Sequence, residues 1–503
     1  MIILLYGEIN MYIEKLRDYQ KEIFDLQHCI NVIGWDLRIS CPKDEKDEVI
    51  KLIGSLEDKL FKLQTSSEYG NILKNAIDSD EFKALEDNEQ QYVKALLKKF
   101  EKRVNIPSEF YVKYTEFVHK STTVWEEAKK NNDYASFKPY LEYMIELTKE
   151  YYKYIDNEHD LYDVMLEDYE AGLTSDVIDK LFTELKEALL PIIPKTGGKV
   201  PFVKINASEN DIMKCAEFLL TYIGFDMNKG ALGIYPHGFT EKIGNNDIRI
   251  AFKRNDNALD FVSTIIHEGG HGILEQNVSS NLSKYECLTC DGINALHESQ
   301  SRFFENILGR NINFWLPIYD KVKSMLGLEV DVYEFVDGLN KAIPSLVRTE
   351  ADELTYCMHI ILRYEIERDL FSGKINVNDL PDIWNKKMKE YLGVEVTSDK
   401  DGILQDVHWA EGDFGYFPSY LIGSIYDGIF LEIIEKQLGS INEILSSGNI
   451  KVMTKFLIDN VYVNGGAYTG RAVLKAQGVD EISIGPVVNY FYGKYGNNHG
   501  LRK

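Results

Sequence analysis

Cysteine is scarce, with six in 503 residues, at positions 29, 41, 215, 287, 290 and 357. That is too few for a disulfide framework and fits a reducing compartment. Two of them form Cys287-Leu-Thr-Cys290. A structural zinc site would need a second such pair, and there is none. No βαβ pattern surrounds it, so the pair reads as two ordinary thiols. Basic charge is also short: 56 Lys and Arg stand against 80 Asp and Glu, a formal net charge of −24. That argues against a nucleic acid or an anionic membrane as partner. No apolar run is read as approaching the length of a membrane-crossing helix. The opening Met1-Ile-Ile-Leu-Leu-Tyr6 is apolar but short and lacks a basic n-region, so no signal peptide is expected. Met11 would serve equally well as a functional start. Internal repeats, low-complexity tracts and long linkers are missing too. The expectation is a cytoplasmic globular protein with 44% hydrophobic and 27% charged residues.

Helical periodicity fills most of the chain. Apolar residues at helical spacing run over 8–30, 44–64 and 81–104. Pro107 suits the first turn of the next helix. Residues 136–168 read as one tyrosine-rich helix, Thr174 as the cap of another over 177–190, and 291–308 and 345–371 as two more, the last carrying Arg348. Near Leu190 the texture changes to a loop with Pro191, Pro194, Gly197, Gly198 and Pro201. Strand signals are almost confined to 233–240 and 247–252, which form a candidate antiparallel hairpin. The expected architecture is mainly α. One domain spans 1–503, with a helical part to about 190 and a motif-bearing part after it. A small antiparallel sheet and a deep substrate groove belong to the second part.

The stretch Thr264-Ile-Ile-His267-Glu268-Gly-Gly-His271-Gly-Ile-Leu274 contains His-Glu-x-x-His. On a helix, residues four apart share a face, so His267 and His271 can bind one zinc ion. Glu268 can then take a proton from a water at that metal. Catalytic zinc sites use three protein ligands, so a third is needed downstream. Gly269, Gly270 and Gly272 are poor helix formers and make sense where another backbone or a substrate passes close. The candidate hairpin lies just ahead of this helix, as in metallopeptidases whose edge strand holds the substrate backbone.

Further stretches are His237-Gly-Phe239, Asp247-Ile-Arg249-Ile-Ala251, His297-Glu298-Ser-Gln300, Val347-Arg348-Thr-Glu-Ala-Asp352 and Gly402-Ile-Leu-Gln405-Asp406-Val-His408-Trp409. With His-Glu-x-x-His and in this order, they resemble the M32 family of zinc metallocarboxypeptidases, the carboxypeptidase Taq family. Trp35-Asp36 resembles a family segment as well, so the likeness spans the chain. Two positions depart from it: Gly238 stands for a proline and Ala251 for a threonine. The first is expected to loosen the loop holding His237, and the second to remove a hydroxyl near the substrate strand.

The resemblance implies that Glu298 is the third zinc ligand and that Arg348 holds the substrate's terminal carboxylate. Read from the residues alone, Glu298 is an ordinary helical glutamate, and Arg348 is either a carboxylate anchor, since guanidinium pairs bidentately with carboxylate, or a structural partner of Glu350, Asp352 or Glu353. The resemblance also implies that His237, Arg249 and His408 line the cleft. Tyr420, or failing it Tyr416, would donate to the oxyanion. It implies one zinc per subunit, sometimes replaced by cobalt, a homodimer, and peptide substrates with a free C-terminus. Broad preference with poor cleavage at proline comes with it. The alternatives are an endo-acting zinc oligopeptidase of a related helical fold and a helical binding protein with a dead site.

Overall fold

The computed structural model describes residues 12–194, 198, 200–285 and 292–496. The expectations about residues 1–11 and about Cys287 and Cys290 fall outside them. Helices dominate. Tyr12–Ile39, Lys46–Gln64, Ser67–Asp78 and Asp87–Val104 close around Ile13, Leu16, Ile23, Leu73, Val93 and Leu96. The expected helix over 136–168 is two, Tyr134–Ile155 and Leu161–Tyr169. Aspartates make the break: Asp156 accepts from the N–H groups of Glu158 and His159, and Asp160 from those of Tyr162 and Asp163. Backbone donors satisfied this way do not continue a helix. Thr174 stands at the cap of Ser175–Leu189, but its side chain makes no capping bond. The main apolar core runs from Ala128 to Phe491, so it does not divide at Leu190.

The sheet has three strands, β1 (Gly230–Ile234), β2 (Phe239–Gly244) and β3 (Asp247–Phe252), in the order β1-β3-β2. An antiparallel hairpin forms, but of β2 with β3, where Thr240 faces Ile250; the expected first strand over 233–240 covers the end of β1, the turn after it and only the start of β2. β1 adds a parallel pairing, Ala231 opposite Arg249, so the sheet is mixed rather than wholly antiparallel. Ile248, Ile250 and Phe252 are buried on one face. Asp247, Arg249 and Ala251 alternate to the other, toward Trp35 of the N-terminal helix.

The His-Glu-x-x-His helix is Ala258–Gln276, capped by Asn257, whose side chain accepts from Leu259 N–H. It packs against Glu209–Ile223, the sheet and the helix Asn294–Arg302. Its glycines are contact points. A Cβ on Gly270 would lie 2.6 Å from Ser301 Cα and 2.8 Å from the Gln300 carbonyl oxygen, so backbone meets backbone there. Gly269 and Gly272 leave room for Ile223 and Phe225. Helix Asn294–Arg302 passes directly into a π-helical turn, Phe303–Leu308.

One helix among the described residues, Phe417–Leu438, is long and apolar enough to cross a membrane by length and composition, contrary to the sequence reading. Its apolar window is 83% buried within the protein. Leu421, Ile422, Ile425, Tyr426, Ile429 and Phe430 are all enclosed, and a stretch of helix packed on every side needs no polar face.

Gly270→Ala separates helix propensity from packing. Propensity alone would stabilise by about 1 kcal/mol. The close backbone approach predicts a net loss of about 1–3 kcal/mol in denaturant unfolding, since backbone cannot give way as a side-chain tip can.

Candidate metal centre and substrate end

One helix turn brings His267 and His271 to a common face, and helix Asn294–Arg302 aims Glu298 between them. Glu298 Oε2 lies 3.4 Å from His271 Nε2 and 4.0 Å from His267 Nε2. One donor atom from each of the three falls within 4.8 Å of the others, a group able to hold a metal ion. Every candidate ligand is held from behind. His267 Nδ1 meets Glu305 Oε2 at 2.9 Å, and His271 Nδ1 meets His297 Nδ1 at 2.7 Å. Glu298 Oε1 accepts from Arg302 Nε at 2.7 Å. His297 Nε2 continues to Glu275 Oε1 at 3.1 Å, and Glu275 Oε2 to Lys242 Nζ of β2 at 3.0 Å. Two imidazole Nε2 atoms and one carboxylate oxygen, each oriented by an outer partner, suit a divalent ion.

The electrostatics favour a cation. Burial works against charge on His267, but the bond to Glu305 and the fields of Glu298 and Glu305 outweigh it and raise its pKa to about 9. His271 goes the other way, to about 4, through burial and the repulsion of His297 and His267. Glu298 is held well below the usual carboxylate range: burial opposes this, but His271 and Arg302 prevail. Glu275 falls to about 2, because Lys242 and His297 overcome the cost of its burial.

Glu268 is buried beside the two histidines. Thr240 Oγ1 of β2 donates to Glu268 Oε2 at 2.8 Å and lies 3.0 Å from the Glu268 carbonyl oxygen. Burial raises the Glu268 pKa, against the lowering effect of His267 and Thr240. Gly238 bears on the same carboxylate. A Cβ there would meet Thr264 Cγ2 at 2.6 Å and Glu268 Oε1 at 2.9 Å. Its consequence is room beside Glu268, not only a looser loop. His237 is exposed on the turn before β2.

Arg348 lies on a single 3₁₀ turn, Arg348–Glu350, ahead of helix Glu353–Phe371, not on the helix expected over 345–371. Asp352 starts the helix late by accepting from the N–H groups of Leu354 and Thr355. The anticipated acidic partners are therefore engaged elsewhere or exposed. Asp352 caps, Glu353 binds Lys494, Tyr490 and Tyr495, and Glu350 faces solvent. The ion pair of Arg348 is with Asp406, Nε to Oδ1 at 3.0 Å, and its Nη1 donates to Tyr356 at 3.0 Å. Asp406 is shared with Arg363, whose Nε lies 2.7 Å from Oδ2. Arg348 Nη2 makes no hydrogen bond among the described residues. The Tyr420 ring lies 5.0 Å from the Arg348 guanidinium carbon, and the Tyr420 hydroxyl is 3.3 Å from His408 Nε2. Burial and the nearby Arg348 push His408 down to about 3, so its ring is neutral. The two ends are joined: Arg302, bound to Glu298, stacks on Tyr356 at 3.9 Å, and Tyr356 takes the Arg348 bond.

Arg249 does not join them. It lies on the sheet face opposite Thr240, bound to the Asp247 carboxylate at 2.7 Å and placed over Trp35 at 5.7 Å. Ala251 shares that face, packed with Trp35 and Ile243, so a threonine there would present its hydroxyl away from Glu268. Sequence reasoning missed Glu305, Glu275, Lys242, Thr240, Arg302, Tyr356 and Arg363. Helical spacing carried a signal for some. Glu275 is four residues after His271 and Arg302 four after Glu298, each on its ligand's face. Glu305 carried none, because the π turn re-aims it.

A helical body that sets two histidines, a glutamate and a second carboxylate around one point is a metallopeptidase architecture. The sequence model of the carboxypeptidase Taq (M32) metallopeptidases matches residues 15–495. Carboxypeptidase 1 of Bacillus subtilis (strain 168) is 34% identical, with 97% of this chain and 99% of that protein covered. Thermostable carboxypeptidase 1 of Pyrococcus furiosus is 31% identical over 97% and 99%. The crystal structure of an M32 carboxypeptidase from Deinococcus radiodurans R1 superposes with a TM-score of 0.91 at 27% identity, covering 97% of this chain and 99% of that one. The chain belongs to the M32 family and is a metallocarboxypeptidase dependent on a divalent metal.

Glu298→Gln keeps the side chain's volume and its contact with Arg302 but removes the anion of the candidate ligand. Metal retained after dialysis, read by elemental analysis, should fall with an affinity loss of at least ~10-fold. Retention of one tightly bound ion would exclude Glu298 as a ligand.

Proposed function

We propose a zinc carboxypeptidase that removes single residues from the free C-terminus of peptides. His267, His271 and Glu298 hold the ion, which supplies the Lewis acidity that polarises the scissile carbonyl and acidifies a water. Glu268 takes the proton of the attacking water and passes it to the leaving amine. Thr240 fixes the carboxylate for both transfers. Tyr420 donates to the oxygen that gains charge at the attacked carbon. Strand β2, at the sheet edge, runs past Glu268 and aligns the substrate backbone.

The observation that carries the exopeptidase reading is Arg348. Its guanidinium is buried, linked to Glu298 through Tyr356 and Arg302, and keeps Nη2 without a partner among the described residues. Two arginines share one aspartate there, leaving one net positive charge for a substrate carboxylate. His408 and Tyr420 complete that end. His237 borders the turn beside Glu268, and Arg249 supports the sheet from behind. Family resemblance extends the reading to a cytoplasmic homodimer with broad preference, poor cleavage at proline and tolerance of cobalt.

Glu268→Gln should retain wild-type metal content and lose kcat by at least ~10². Metal lost together with activity would make Glu268 structural.

Arg348→Ala should reduce kcat/KM for free-acid peptides by roughly 10²-fold or more, and Arg348→Lys should recover little of it. The variants should also melt earlier, because Asp406 and Tyr356 each lose a partner, so assays belong below that transition. The deciding quantity is the ratio of kcat/KM for matched free-acid and amidated peptides. A wild-type ratio in Arg348→Ala would remove Arg348 as the anchor, whereas equal cleavage of the two peptides by the wild-type protein would favour an endopeptidase.

A further inference from the structure

Helix Asn294–Arg302 carries Glu298, and helix Phe417–Leu438 carries Tyr420. The two lie in near backbone contact: a Cβ on Gly423 would stand 3.2 Å from the Ala295 carbonyl oxygen. Neither begins with a cap of its own. Ile293 and Tyr416, the residues at the two N-caps, offer no side-chain bond. One distant carboxylate supplies an acceptor to both. The buried Glu170 takes the Ala295 N–H and the Ser419 hydroxyl on the same oxygen, Oε1, each at 2.6 Å. We propose that Glu170 is a positioning residue, which ties the first turns of these two helices together and so sets where Tyr420 stands relative to Glu298. This rests on the reading that Tyr420 serves the reaction and Glu298 the metal.

Glu170 is itself fixed to the start of the Glu298 helix. It pairs with Ile293 in an antiparallel bridge, Ala171 N–H donates to the Gly292 carbonyl at 2.9 Å, and Gly292 N–H to the Asp168 carbonyl at 3.1 Å. The Ala295 N–H is one of the first-turn donors that an α-helix leaves without an internal partner. Ser419 adjoins Tyr420, so its bond is a tether one residue from the phenol. Farther along the pair, Ser299 donates to Asp427 at 3.0 Å, which joins the helices past their starts. One joint alone would let the helices pivot about it. Glu170 adds a second at their starts, and two joints fix the register. Glu170 forms no ion pair among the described residues, and burial pushes its carboxyl up to about 8. Both donors therefore need an acceptor oxygen rather than a charge, and a glutamine offers one.

The test uses the full-length protein: turnover with zinc in excess, zinc affinity by competition with a chromophoric chelator, and melting curves to set the assay temperature. Glu170→Leu should lower kcat for a free-acid peptide ~10-fold or more and weaken zinc binding ~10-fold. KM should hold, since Arg348 lies on neither helix. Glu170→Gln should stay near wild type in both. Ser419→Ala keeps the Ala295 bond and guards against a Glu170→Leu that does not fold. It should lose kcat by ~3-fold or more with zinc affinity unchanged. A folded Glu170→Leu with wild-type kcat or wild-type zinc affinity overturns the proposal, whatever its melting temperature. So does a Ser419→Ala with wild-type kcat, or a Glu170→Gln as impaired as Glu170→Leu. Tyr420→Phe and Glu298→Gln are the references. If they lose kcat and zinc respectively while the Glu170 and Ser419 variants do not, the positioning alone is wrong. If Tyr420→Phe keeps kcat or Glu298→Gln keeps zinc, the site reading fails and the proposal falls with it.

Discussion

Four carboxylates, Glu268, Glu275, Glu298 and Glu305, are enclosed around two histidines, and the rest of the centre answers that concentration of charge. Each would cost several kcal/mol to bury alone as an anion. Lys242 compensates Glu275, Arg302 compensates Glu298, and Arg310, with Nη2 3.6 Å from Oε1, compensates Glu305. Three cations against four anions leave a deficit where His267 and His271 turn their Nε2 atoms. A divalent ion meets that deficit better than a proton, because two imidazoles and a carboxylate can all bind it while only one of them holds a proton. The opposite pKa directions of His267 and His271 express the same fact: the site accepts one positive charge readily and resists a second monovalent one.

Such a centre must be rigid, and the sequence spends glycines on that. Gly270 lets the His-Glu-x-x-His helix approach the backbone of the Glu298 helix, and Gly423 does the same for helix Phe417–Leu438, where a Cβ would stand 3.2 Å from Ser299 N. Three helices in near backbone contact fix Glu298 against His271 and bring Tyr420 alongside. The apolar length of Phe417–Leu438 follows from this: from Phe417 to Phe430 it has neighbours on every side, and charge appears only in its exposed last turns, at Glu432, Glu435 and Lys436.

What could be read from the sequence was whatever is encoded locally. His267, Glu268 and His271 belong to one helix turn, and period and motif suffice for them. The hairpin was legible from alternation, but β1 was not, since a parallel pairing with β3 is decided by tertiary contact. Arg348 is legible from its motif, but the helical period running through it hides the break that Asp352 makes by capping the helix that starts at Glu353. Its ion pair with Asp406 spans 58 residues and leaves no periodic trace. Arg249 shows the limit of carrying a motif residue forward. The motif marks it, yet strand alternation, applied to Thr240 against Glu268, already assigns Arg249 to the other face.

The substrate end and the metal end are not independent. Glu298 holds Arg302, Arg302 stacks on Tyr356, and Tyr356 accepts from Arg348, so one aromatic ring spaces the proposed carboxylate anchor from the proposed metal ligands. An exopeptidase needs that spacing to equal one residue, because an anchor that drifted would admit an extra residue or none. Flexible lysines would not keep it. Arginines held by Asp406 on one side and by Glu298 on the other do, since each guanidinium is planar and bound at more than one nitrogen or across its face. Restriction to the chain terminus would then come from the rigidity of the Glu298–Arg302–Tyr356–Arg348 path as much as from the charge at its end.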